Sequence, residues 1–120
     1  MANFLIVDDS RTSRRILRGI LEQAGYTVIG EATNGQEAYD KYVELQPDIV
    51  TMDITMPVLD GIGGVKKIKE AYPESKVVMV TAAGQKNKMV EAVQSGADEF
   101  IPKPFDGEQL VQTLAKVLEA

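Results

Sequence analysis

Residues 4–10, Phe4-Leu5-Ile6-Val7-Asp8-Asp9-Ser10, run from four consecutive apolar side chains straight into two carboxylates and a hydroxyl. An unbroken apolar run of this length, as opposed to an alternating one, predicts a strand buried on both faces. Ser10 stands where a helix N-cap belongs. Behind it Ile16, Leu17, Ile20, Leu21 and Ala24 recur at helical spacing, and Gly25 supplies a C-terminal stop. A buried strand that feeds directly into an amphipathic helix is a β-α unit.

The same unit recurs along the chain. Thr27–Ala32 reads as a second strand, Asn34-Gly35 as a turn, and Ala38, Tyr42 and Leu45 as the apolar stripe of a helix closed by Pro47. Asp48–Asp53 predicts a third strand, Met56–Gly61 a loop, and Ile62, Val65, Ile68 and Tyr72 a third helix before Pro73. Lys76–Thr81 is the fourth strand, followed by a helix over 86–95 that stops at Gly96. Glu99–Pro102 is the fifth, and its proline, lacking a ladder donor, places it at a sheet edge. A last helix carries Leu110, Val111, Leu114, Val117 and Leu118. Five such units predict a doubly wound α/β fold: a parallel sheet with helices on both faces and right-handed crossovers. With no linker, repeat or low-complexity stretch, residues 1–120 are expected to form one domain.

Composition narrows the chemistry. The chain has neither cysteine nor histidine, which removes disulfides, thiolate nucleophiles, Ser-His and Cys-His catalysis and the usual zinc and copper sites. With 13 basic and 18 acidic residues the net charge is −5, which argues against a nucleic acid or an anionic membrane as partner. The first residues lack a basic flank and the first apolar run is short, so neither a signal peptide nor a membrane span is expected and the protein is expected in the cytoplasm.

In an open parallel sheet, sites form beyond the carboxyl ends of the strands. Asp8 and Asp9 stand there after the first strand, Asp53 after the third, Thr81 on the fourth and Lys103 after the fifth. Singly these are ordinary residues: a cap, a turn acid, a capping hydroxyl, a surface cation. Together they place three like charges at neighbouring strand ends, where each disfavours ionisation of the others unless a cation intervenes. All-oxygen ligands without His or Cys point to Mg²⁺ or Ca²⁺. So few carboxylates favour Mg²⁺, which keeps waters and shares its shell with a phosphate. Gly61-Ile62-Gly63-Gly64 matches neither nucleotide-binding loop, so those glycines are expected either to weaken a helix or to allow close packing. Arg11, Arg14, Arg15 and Arg18 cluster early in the first helix and read as a solvated basic face, with docking of an acidic partner as the other reading.

Four segments carry a resemblance: residues 5–10, residues 48–57 (Asp-Ile-Val-Thr-Met-Asp-Ile-Thr-Met-Pro), Val80-Thr81-Ala82 and Lys103-Pro104-Phe105. In order and spacing they resemble the receiver domains of two-component response regulators, and residues 8–17 are especially similar to the single-domain chemotaxis proteins of the CheY type. The resemblance implies a flavodoxin-like sheet of order 2-1-3-4-5 with five helices. It implies that Asp53 accepts a phosphoryl group, and that Asp8, Asp9, Asp53 and the Thr55 carbonyl hold Mg²⁺. Lys103 then pairs with the phosphoryl group, Thr81 bonds to it after transfer, and the Lys103-Pro104 bond is cis. Phe100 turns inward behind Thr81, reshaping the face made by the fourth helix, fifth strand and fifth helix. A nearly complete switch of this kind needs roughly 5 kcal/mol of differential stabilisation. The donor is a CheA-like sensor histidine kinase. The partners are an output target such as the flagellar motor switch and a phosphatase. Because the last helix ends at Glu119, output is expected through protein binding.

Phe100 stands where the chemotaxis pattern commonly has tyrosine, and Thr55 and Ala83 sit near the mouth of the site, where they are expected to alter phosphoryl lifetime or the choice of phosphatase. A phosphorelay intermediate is the alternative within the family. A Mg²⁺-dependent phosphatase of the haloacid-dehalogenase type shares Asp, Thr and Lys, but it carries its nucleophile on the first strand and a second Asp two residues on, where Thr55 stands here. A flavodoxin-like cofactor binder is disfavoured by the acidic rim. The expectation is a switch that catalyses only its own phosphorylation and dephosphorylation.

Overall fold

The computed structural model describes residues 2–82 and 86–120. Five strands and five helices alternate: β1 (Asn3–Val7), α1 (Arg11–Gln23), β2 (Thr27–Ala32), α2 (Gly35–Leu45), β3 (Ile49–Met52), α3 (Gly61–Ala71), β4 (Val77–Ala82), α4 (Lys86–Gln94), β5 (Glu99–Lys103) and α5 (Gly107–Glu119). The strands form one parallel sheet in the order β2-β1-β3-β4-β5. β5 lies at an edge, with Pro102 in register with Thr81. Among the described residues no helix is long and apolar enough to cross a membrane.

Alternation along the buried strands divides the core in two. Leu5, Val7, Val50, Met52, Val77 and Met79 face α2, α3 and α4, meeting Ala38, Tyr42, Val65, Ile68 and Ala92. Phe4, Ile6, Ile49, Val78 and Val80 face α1 and α5, meeting Leu17, Leu21, Leu110, Leu114 and Val117. Apart from Asn3, Thr51 and Thr81, the central strands β1, β3 and β4 are apolar because both of their faces are covered.

Helix ends follow the expected chemistry. Ser10 caps α1 by accepting from the Ser13 N–H at 3.2 Å, and Gly25 follows the helix with φ +94°. Asn34-Gly35 is a helix start and not a free turn: the Asn34 side chain accepts from the Glu37 N–H at 2.9 Å, and Gly35 is the first residue of α2. Asp60 and Asp106 cap α3 and α5 in the same way. The glycines of α3 serve packing, as expected. A Cβ on Gly64 would stand 2.8 Å from Met52 Sδ and 3.0 Å from Gly35 Cα, so α2 and α3 touch backbone to backbone. Between β3 and α3, Val58 is 87% exposed and adopts φ +69°, a left-handed conformation that a β-branched residue disfavours.

Candidate functional site

The order β2-β1-β3 makes consecutive strands leave the sheet centre in opposite directions, so a crevice opens at the carboxyl ends of β1 and β3. Asp8 and Asp53 follow those strands directly, and the sheet ladder continues into both. The Asp8 N–H donates to the Ala32 carbonyl at 3.0 Å, and the Asp53 N–H to the Val7 carbonyl at 2.9 Å. Asp9 is exposed beside them. One carboxylate oxygen from each of Asp8, Asp9 and Asp53 lies within 4.8 Å of the others.

Lys103, the last residue of β5, reaches across this cluster. Its Nζ donates to Asp8 Oδ2 at 2.7 Å and lies 3.6 Å from Asp53 Oδ2. The other oxygens are held by backbone: Asp8 Oδ1 accepts from the Ser10 N–H and Asp53 Oδ1 from the Ile54 N–H, each at 2.8 Å. The Lys103-Pro104 bond is cis, as the resemblance implied. Thr81 is buried, and among the described residues its hydroxyl has no hydrogen-bond partner. It is nonetheless near enough for its dipole to favour the Asp53 anion. Beside the acids a cavity of about 510 Å³ opens, lined in part by Ile16, Leu17, Thr51, Val80 and Phe105.

Burial pushes the Asp53 carboxyl above the usual carboxylate range, and the neighbouring Asp8 charge adds to this; Lys103, Thr81 and the Ile54 N–H oppose it. For Lys103 burial acts against the charged form, but the Asp8 hydrogen bond and the two carboxylate charges outweigh it and the ammonium stays above its ordinary value. Among the described residues three carboxylates thus meet one ammonium, which leaves an excess of negative charge in an all-oxygen donor set. That is the chemistry a hard divalent cation requires, and these residues fit one.

The structure therefore gathers Asp8, Asp9, Asp53 and Lys103, with Thr81 adjoining. Thr55 is exposed in the β3–α3 loop, and Phe100, half-buried on β5, packs against the core on the α2, α3 and α4 side. Ala83 lies outside the described residues. The basic cluster on α1 is only partly a solvated face: Arg11 and Arg15 are exposed, whereas Arg14 and Arg18 both pair with Glu31 of β2. A charge inside a strand was the available signal, because a half-buried carboxylate calls for a cation nearby.

The model of the response regulator receiver domain matches residues 4–115. The chain is similar to the chemotaxis protein CheY of Thermotoga maritima, 50% identical over 113 residues and 94% of each chain, and to that of Bacillus subtilis, 43% identical over 114 residues and 95% of each. Among solved structures it is similar to the CheX-CheY-BeF3-Mg complex from Borrelia burgdorferi, with a TM-score of 0.92 and 37% identity over 97% of this chain and 88% of that one. The sheet order, the site at the β1/β3 crevice and these similarities agree, and the chain belongs to the response regulator receiver domain family.

Proposed function

We propose that this chain is a single-domain response regulator, one domain over residues 1–120, that accepts a phosphoryl group on Asp53 and switches a protein-binding face in control of chemotaxis. The observation that carries the reading is the Asp8–Lys103–Asp53 bridge, with the three carboxylates drawn to within 4.8 Å at the crevice. An Asp53 oxygen attacks phosphorus in line; the new O–P bond forms as the N–P bond of a phosphohistidine breaks and the electron pair leaves with the imidazole. With no histidine in the chain, that group comes from a partner, a CheA-like sensor kinase.

Positioning and charge neutralisation accomplish such transfers. Asp8, Asp9, Asp53 and the Thr55 carbonyl would hold Mg²⁺, which supplies charge neutralisation to the incoming oxygens. Lys103 exchanges its carboxylate contacts for the phosphoryl oxygens. Thr81, whose buried hydroxyl has no partner among the described residues, turns to donate to one of them. Phe100 follows into the space behind it and reshapes the face of α4, β5 and α5, where a target such as the flagellar motor switch binds. Relatives called CheY are chemotaxis proteins, and one is found with CheX in the Borrelia burgdorferi complex, which supports a chemotaxis role and a CheX-like protein as a further partner. In this reading the chain turns over only its own phosphoryl group and works in the cytoplasm.

The test is intact mass after incubation with Mg²⁺ and acetyl phosphate. One phosphoryl group is expected on the wild type, none on Asp53→Asn and none after chelation. No gain, under conditions that phosphorylate a control receiver, overturns the reading.

A further inference from the structure

The mechanism above leaves Arg14 unused, yet its guanidinium is among the most constrained groups near the site. Its side chain is 14% exposed. Nη1 donates to the Asp8 backbone carbonyl at 2.7 Å, and Nε donates to Glu31 Oε1, also at 2.7 Å. The second oxygen of Glu31 takes Arg18, whose Nε and Nη2 lie 2.9 and 2.7 Å away. A planar fork is thus held at one end by a carboxylate and applied at the other to a single carbonyl.

That carbonyl belongs to the peptide joining Asp8 to Asp9. A peptide unit is planar, so holding its oxygen orients the whole unit, including the nitrogen and Cα of Asp9. Asp8 is otherwise fixed by its own N–H on Ala32, by the Ser10 N–H on Oδ1 and by Lys103 on Oδ2. The exposed Asp9 has no comparable clamp among the hydrogen bonds of the described residues, so the Asp8 peptide is what sets where its carboxylate projects. Outer groups that orient metal ligands commonly matter 10–100-fold in affinity.

We propose that Arg14, backed by Glu31 and Arg18, is a positioning residue for the metal centre, setting the direction in which the Asp8-Asp9 pair presents its carboxylates. The inference rests on the reading of Asp8 and Asp9 as Mg²⁺ ligands. The rival account is simple charge. A guanidinium on the Asp8 backbone repels Mg²⁺, so removing it tightens binding if charge is all it contributes, whereas losing a positioning contact weakens binding.

The experiment is calorimetric titration of Mg²⁺ into wild type, Arg14→Gln and Arg14→Lys, with urea unfolding in chelator to measure any general loss of stability. Lysine keeps the charge but not the planar fork, and it is the variant to read should Arg14→Gln fail to fold. Both variants are expected to weaken Mg²⁺ about tenfold. The half-saturating Mg²⁺ for phosphorylation should rise in step, while the rate at saturating Mg²⁺ holds. Tighter binding in Arg14→Gln, or unchanged binding in Arg14→Lys, overturns the proposal while leaving the phosphoryl-acceptor reading intact. A wild type that binds no Mg²⁺ overturns the assignment of Asp8 and Asp9 as ligands, and the proposal with it.

Discussion

Gly61, the first residue of α3, is the point where the helix leans on the site. Its N–H donates to the Ile54 carbonyl at 2.7 Å. A Cβ there would overlap the Asp53 carbonyl oxygen and stand 2.9 Å from both Asp53 C and Ile54 Cα. These are backbone atoms, with no rotamer to yield. Relaxing the 2.9 Å contacts to about 3.5 Å requires a shift of about 0.6 Å, and the overlapping oxygen requires more. Gly61→Ala is therefore expected to destabilise the fold by about 1–3 kcal/mol, the usual cost of overpacking. The same shift displaces the Asp53 carboxylate, and a misplacement of about 1 Å costs up to about 100-fold in rate. Gly19, inside α1 and exposed, is the control: a Cβ there meets nothing within 4 Å, so Gly19→Ala should stabilise by about 1 kcal/mol and leave phosphorylation unchanged. Urea unfolding gives the first quantity and the time course of mass gain with acetyl phosphate the second. A Gly61→Ala protein as stable as wild type and phosphorylated at the wild-type rate would refute the claim that α3 sets the position of Asp53.

Val58→Asn should stabilise the fold by about 1 kcal/mol in urea unfolding, because asparagine tolerates the left-handed backbone and the exposed valine side chain gives up little packing; a loss of stability would contradict this. Thr51 is buried with a hydroxyl unpartnered among the described residues, so the near-isosteric Thr51→Val should raise stability by about 1 kcal/mol, and a drop would mean that the hydroxyl is satisfied. Glu31 is subject to burial, which alone would raise its pKa, but Arg18 and Arg14 hold it below the ordinary carboxylate value. A depressed folded-state pKa stabilises above the unfolded value of about 4.3 and loses that contribution as pH falls through the folded one. The stability gap between wild type and Glu31→Gln should accordingly be present at pH 6 and close as pH falls toward 3; a gap that widens in acid would refute the pairing.

Much of this architecture is legible in the chain because both sheet faces are covered. The central strands then read as apolar runs at 4–7 and 77–80 and as Ile49-Val50-Thr51-Met52, broken by one threonine, and the acids that end two of them are plain to see. Asn34-Gly35 misleads for a physical reason. An asparagine side chain accepting a nearby backbone N–H makes a turn or starts a helix by the same hydrogen bond, and only the packing of Gly35 against Leu59 and Asp60 decides between them. Arg14 and Arg18 mislead because charge along a helix shows its own neighbours and not a partner on another element: Glu31 is 17 residues from Arg14 in sequence and 2.7 Å from it in space. The hydroxyls of Thr51 and Thr81, unpartnered among the described residues, have no linear signature, since a threonine is ordinary in a strand and only three-dimensional enclosure isolates it.

The two halves of the crevice are built with different stiffness. Asp8 and Asp53 lie one residue beyond their strands, yet their amides are the last rungs of the central ladder, bonded to Ala32 and Val7. Their hydrogen exchange should follow opening of the sheet and not fraying of a loop. Across the crevice Thr81 pairs in register with Pro102, which has no N–H to give. The acids are thus anchored between strands paired on both sides, and the Thr81 hydroxyl sits beside an edge strand held from one side alone, so the edge of the sheet yields before its centre does.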